Sequence, residues 1–88
     1  MLVVVASSFN KDISKLQDKK LLLAIREALQ LIESSSSLND IPHLKKLAGT
    51  SGHFRIRISE YRMGIFVENN TVTIVRFLHR KEIYRYFP

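Results

Sequence analysis

Gly52-His53-Phe54-Arg55-Ile56-Arg57-Ile58-Ser59-Glu60-Tyr61-Arg62 decides the fold of this 88-residue chain. Phe54, Ile56 and Ile58 alternate with Arg55, Arg57 and Ser59. Side chains of a strand alternate between two faces, so one face is apolar and the other carries guanidinium groups. Met63–Glu68 and Thr71–Leu78 read as two further strands, joined by Asn69-Asn70, residues that tolerate the positive φ of a tight hairpin. A two-residue turn there sets Val67 opposite Val72, Ile65 opposite Ile74 and Met63 opposite Arg76, and opposed residues of an antiparallel ladder share a face. The other face then holds Arg62, Gly64, Phe66, Thr73, Val75, Phe77 and, just past the end, His79. An even-length turn around Glu60-Tyr61 places Ser59 opposite Arg62, Arg57 opposite Gly64 and Arg55 opposite Phe66. Arg55, Arg57 and Arg62 thereby gather on one face, beside a glycine that leaves room and near His79. An odd-length turn would send Arg62 to the other side. Ile56, Ile58, Met63, Ile65, Val67, Val72 and Ile74 form the opposite, core face. Taken alone, the pattern also fits an ordinary solvated sheet face with solubilising arginines.

The chain is long enough for one domain, residues 1–88, with a single modest core. It contains no cysteine, which removes disulfides, thiol nucleophiles and thiolate-bound metals, and suits a reducing compartment. His43, His53 and His79 lack the spacing or company of metal ligands, so no metal and no other cofactor is expected. No apolar run approaches the length of a membrane span. Met1–Ala6 lacks a basic leader and a full hydrophobic region, so it reads as a strand and not a signal peptide, and a cytoplasmic protein is expected. Fourteen Lys and Arg against eight Asp and Glu give a net charge of +6, which favours a polyanionic partner: nucleic acid, an acidic protein or a membrane surface.

Met1–Ala6, apolar without alternation, predicts a strand covered on both faces. Ser7 or Ser8 can cap a helix in which Phe9, Ile13 and Leu16 share a stripe, and Asp18 can cap a second carrying Leu22, Ile25, Leu29 and Ile32. Such a helix pair would cover the apolar sheet face. Ser34–Ser37 ends the second helix, because serines compete for backbone hydrogen bonds. Ile41-Pro42 fixes an extended turn before Leu44-Lys45-Lys46-Leu47, in which Leu44 and Leu47 anchor and Lys45 and Lys46 are exposed, either simply solvated or binding phosphate. At the C-terminus, His79-Arg80-Lys81-Glu82-Ile83-Tyr84-Arg85-Tyr86-Phe87 predicts one helical turn over Glu82–Phe87 with Ile83 packed on Phe87 and Tyr84 elsewhere. Lys81, Arg85 and their aromatic neighbours have the composition RNA binding uses, cations for phosphate and rings for unstacked bases; packing is the preferred reading of Tyr86 and Phe87.

Ile41-Pro42-His43-Leu44-Lys45-Lys46-Leu47, then Phe54-Arg55-Ile56-Arg57-Ile58 and Tyr61-Arg62, then His79-Arg80-Lys81-Glu82-Ile83-Tyr84 resemble the successive motifs of RelE-type toxins, of the RelE/ParE superfamily of toxin–antitoxin modules. The resemblance spans nearly the whole chain. It implies an α+β fold in the order β-α-α-β-β-β: an N-terminal strand, a two-helix hairpin packed on an antiparallel sheet and a short C-terminal helical turn. It also implies an endoribonuclease that cuts mRNA, often in the A site of the 70S ribosome, and is silenced by a cognate antitoxin, with a toxin–antitoxin heterotetramer as one possible assembly. By the same resemblance Arg55 and Arg57 match strand cations that bind the scissile phosphate, and Arg62 matches the arginine that stabilises the phosphorane-like transition state. Arg80 matches a second basic group and Tyr84 a tyrosine that stacks on a base or assists proton transfer. Lys45, Lys46, Lys81 and Arg85 are the expected RNA- or ribosome-binding cations.

The implied reaction is attack of a ribose 2′-hydroxyl on the adjacent phosphodiester, which needs charge stabilisation and no metal. It also gains from an acid and a base. Here the chain departs from lysine-bearing members, since arginine stays protonated and makes Arg55 and Arg57 poor bases. His79 is the best titratable candidate, although a histidine can equally just cap the strand end. The rival from another class is a ParE-like protein that poisons DNA gyrase by binding and cuts nothing; it would not require clustered arginines plus His79, Arg80 and Tyr84.

Overall fold

The computed structural model describes residues 1–88. Strand β1 (Leu2–Val5) leads into helices α1 (Ser7–Ser14) and α2 (Lys19–Ser34). A 3-10 turn (Leu38–Asp40) follows, then β2 (Leu44–Lys46), β3 (His53–Ile58), β4 (Tyr61–Glu68), β5 (Thr71–His79) and a last helical turn, α3 (Ile83–Tyr86). The five strands make one sheet in the order β1-β5-β4-β3-β2, antiparallel except where β1 runs parallel to β5. This is the expected α+β arrangement, with Leu44–Lys46 joining it as an additional strand.

The helices form where the apolar residues repeat at helical spacing. Asp18 caps α2 as expected, its carboxylate accepting from the Leu21 N–H at 3.1 Å. No serine side chain caps α1, which starts from Ala6 in extended conformation. Phe9, Leu21, Ile25 and Ile32 from the helices bury against Ile56, Met63, Ile65, Val72 and Ile74, the apolar sheet face read from alternation. Burial of that kind is worth about 1.5–3 kcal/mol per large side chain. β1 is an edge strand and is not covered on both faces: Leu2 and Val4 point outward, 63% and 45% exposed, while Val3 packs on the core. A continuous apolar run therefore marks here an edge strand with one wet side.

Hairpin parity came out as expected and hairpin reach did not. Ile58 pairs with Tyr61 across a two-residue turn at Ser59-Glu60, in which Ser59 takes φ 56°, so Arg57 faces Arg62 and Arg55 faces Gly64. The turn lies one residue earlier than expected, but its even length keeps the three arginines on one face. Asn69 and Asn70 both have positive φ, and Val67↔Val72 and Ile65↔Ile74 pair as read. Beyond them Val75 is an extra residue: Gly64 faces Arg76 and Met63 faces Phe77. The bulge flips every later residue of β5. Phe77 goes to the core, 2% exposed and edge-on to Phe9, and Arg76 moves to the arginine side. His79 moves the other way, opposite Tyr61 on the helix side.

The bulge is held from α1, which runs along the edge of β5 where β1 has stopped. Ser8 Oγ donates to the Val75 carbonyl, and Asp12 accepts the Phe77 N–H at 2.9 Å. Asp12 also takes a bidentate fork from Arg76, at 2.9 and 3.1 Å, and that hydrogen bond raises the Arg76 pKa. Two main-chain groups that a bulge would orphan are thus satisfied by side chains more than sixty residues away.

The C-terminal segment closes over part of the outer sheet face. Ile83 and Phe87 are buried as expected, though the helical turn ends at Tyr86 and Phe87 is extended just beyond it; Tyr86, read as a packing residue, is instead exposed, as is Tyr84. The Phe87 ring lies where a side chain on Gly64 would be, within 2.7 Å of an added Cβ. The room left by Gly64 belongs to Phe87 and not to a ligand. His53 fills in beside it, its ring 4.8 Å from that of Phe66 and 5.6 Å from that of Phe87.

Candidate active site

Arg55, Arg57 and Arg62 do share one face of β3 and β4, with Arg57 and Arg62 directly opposed. Like charges so placed repel, and none of the three is paired with a carboxylate: the cleft's Glu60 is engaged by Arg80. Arg55 Nη1 donates to the His43 carbonyl at 2.9 Å, and Arg57 Nη2 lies 3.2 Å from His43 Nδ1. Arg62 Nη1 donates to the carbonyls of Ser59 and Tyr61, at 3.2 and 2.9 Å. All of these acceptors are neutral. Three guanidinium groups held in place by neutral acceptors keep their full positive charge for an anion.

Arg80 joins them from beyond β5. Its N–H donates to the Glu60 carbonyl at 2.8 Å and its Nε pairs with the Glu60 carboxylate at 2.9 Å. Both side chains of that pair are more than half exposed, so it orients Arg80 over the β3–β4 turn more than it stabilises the fold. Arg57, Arg62 and Arg80 line one cleft of about 610 Å³ with His43, Glu60 and Glu27; Ala28, Ile41, Pro42 and Ile58 supply apolar lining.

The remaining expected residues divide. Lys45 pairs with Arg55 and extends the arginine face toward the β2 edge, whereas Lys46 pairs with Phe54 and falls on the other side. Tyr84, Lys81 and Arg85 are exposed on the C-terminal segment. His79 is not among the arginines: its ring stands edge-on to Tyr61, and its Nδ1 accepts the Lys81 N–H at 3.2 Å. Sequence reading missed His43. Extending the observed Leu44↔Ile56 pairing by one residue puts His43 beside Arg57, whose N–H donates to the His43 carbonyl at 3.2 Å. Reading Leu44-Lys45-Lys46 as a strand would have found it. No three His, Asp or Glu side chains converge as metal ligands, and no helix is long and apolar enough to cross a membrane.

Residues 3–84 match the family described as the ParE toxin of type II toxin–antitoxin systems, parDE. The chain is 40% identical to toxin RelE3 of Methanocaldococcus jannaschii over the full length of both. Its fold is similar to that in the RelB–RelE antitoxin–toxin complex from Methanococcus jannaschii, at 35% identity and a TM-score of 0.82, covering 97% of this chain and 99% of that one. It is also similar to the RelBE2 toxin–antitoxin complex from Mycobacterium tuberculosis, at 27% identity and a TM-score of 0.71 over 90% and 96% of the two chains.

Proposed function

The chain belongs to the RelE/ParE family of type II toxins, as a RelE-type member, and from that footing we propose that it is a metal-independent endoribonuclease that cleaves mRNA, in association with the 70S ribosome A site. The single observation that carries the reading is the placement of Arg57, Arg62 and Arg80 around one cleft, with Arg55 beside Arg57 on the same strand. A phosphodiester passing to a pentacoordinate transition state gains negative charge on its non-bridging oxygens. Preorganised guanidinium forks meet that charge without reorganising, and are worth most where it develops. Arg55 and Arg57 bind the scissile phosphate and its neighbour, Arg62 stabilises the transition state, and Arg80 supplies the second cation near the leaving oxygen. Tyr84, more than half exposed on α3, stacks on a base, and Lys45, Lys81 and Arg85 bind backbone phosphates. Lys46, on the other side of β2, contributes less. The partner is a cognate antitoxin, as two similar toxins are each solved in complex with one, and assembly as a heterotetramer belongs to the same proposal.

A second reading is favoured by the family match being to ParE: a toxin that binds DNA gyrase and cuts nothing. Primer extension on mRNA after brief induction in bacteria separates the two. New 5′ ends inside translated codons, absent with Arg62→Ala, are the expected outcome. Growth arrest with intact mRNA moves the assignment to gyrase, and neither arrest nor cuts removes both.

A further inference from the structure

Removing the 2′-hydroxyl proton needs an acceptor, and the cations of the site cannot serve: a guanidinium only donates. His79 faces away, with Nδ1 engaged by the Lys81 N–H. The imidazole that touches the site is His43. It has φ 63°, a left-handed conformation in which one residue meets two strand arginines, its carbonyl accepting from Arg55 and its ring from Arg57. Since Arg57 Nη2 can only donate, Nδ1 in that contact is the unprotonated nitrogen and Nε2 carries the hydrogen. The residue is exposed and lines the cleft that holds Arg57, Arg62 and Arg80.

We propose that His43 is the general base of cleavage, an inference that rests on the endoribonuclease reading. Arg57 holds the ring in the resting site. A phosphate draws the Arg57 fork onto its own oxygens, because an anion is a stronger acceptor than a neutral nitrogen, and Nδ1 is released. Nδ1 takes the 2′-hydroxyl proton as the 2′-oxygen bonds to phosphorus. The bond from phosphorus to the 5′-oxygen breaks, its electron pair stays on that oxygen, and water protonates it. The products are a 2′,3′-cyclic phosphate and a 5′-hydroxyl; the imidazolium then returns its proton to the hydroxide left by water. The charged groups around the ring are Arg55 and Arg57 from β3, Glu27 from α2, Glu60 and Arg62 at the hairpin, and Arg80 after β5.

The test is single-turnover cleavage of an end-labelled mRNA, free and loaded on 70S ribosomes, between about pH 5 and 8, where imidazole titrates. His43→Asn keeps a side chain that tolerates left-handed backbone and an oxygen that can accept from Arg57. It is expected to melt like wild type, to cleave about 10²-fold or more slowly, and to lose the rise of rate with pH. His43→Gly, unstrained at positive φ, should regain rate on addition of free imidazole. A His43→Asn protein that keeps wild-type rate and pH profile while Arg62→Ala is inactive overturns the base assignment alone. A wild-type protein that cuts no RNA in either format overturns it together with the endoribonuclease reading.

Discussion

Arg62 and Gly64 are neighbours but one on β4, and they answer different questions about the same face. On the proposed endoribonuclease reading, replacing Arg62 by alanine should remove the cation that meets the developing charge, an expected loss of about 3 kcal/mol or more in transition-state stabilisation by comparison with other preorganised donors. Because Arg62 also holds the Ser59 and Tyr61 carbonyls, Arg62→Lys is the companion variant: it keeps charge and loses the planar fork. Retained cleavage by Arg62→Ala on ribosome-bound mRNA would remove Arg62 from the site. Gly64→Ala tests packing: its Cβ would lie 2.7–2.9 Å from three Phe87 ring atoms. The expected cost is about 1–3 kcal/mol, read as a lower urea midpoint. Phe87→Ala combined with it should cost less than the sum of the two single changes, since the clash disappears with the ring.

Among the elements, α1 does work that its short length conceals. Asp12 accepts from Arg76 twice and from the Phe77 N–H, and its side chain is 9% exposed against 25% for Arg76. Asp12→Ala leaves a guanidinium and a bulge N–H without their acceptor, an expected loss of about 3 kcal/mol, the low end for a broken buried pair because Arg76 is partly wet. Urea denaturation measures it; a loss below about 1 kcal/mol would show that the bulge does not depend on α1. The Asp12 hydrogen bond raises the Arg76 pKa. A raised folded-state value means stability that is present below the unfolded pKa and lost only as pH rises through the folded one. That window is strongly alkaline, so this arginine adds no pH dependence near neutrality. The α3 turn is tied down by Ile83 and Phe87, and by Arg76 lying 5.4 Å from the centre of the Tyr86 ring.

For the whole molecule, a net charge of +6 predicts salt-dependent RNA binding, and the sheet decides which charges count. Lys45 lies on the arginine face and Lys46 does not. Lys45→Ala should therefore reduce the slope of log affinity against log salt by about 0.7, the value for one phosphate contact on a single strand. Lys46→Ala should reduce that slope by less. Filter binding across a salt series checks both, and equal effects would mean that long-range charge, not position on the sheet, governs binding.

Much of this is legible along the chain. Alternation at Phe54–Ile58 and the Asn69-Asn70 turn determine the core face and the strand pairs next to that turn, because a period of two and a tight turn are local properties. The grouping of Arg55, Arg57 and Arg62 followed only from an even turn between β3 and β4, which the sequence left open. Most of what only the tertiary structure decides lies past Ile74. Whether β5 carries an extra residue depends on who satisfies the groups that a bulge exposes, and those partners, Ser8 and Asp12, sit on α1. The same long-range choice sends Phe77 into the core and His79 away from the arginines. His43 reaches the arginines for a related reason: its position is set by pairing between β2 and β3, with the Leu47–Gly52 connection between them. Charge and apolar pattern are written in short range; which imidazole stands beside the guanidinium groups is settled by contacts that cross the molecule.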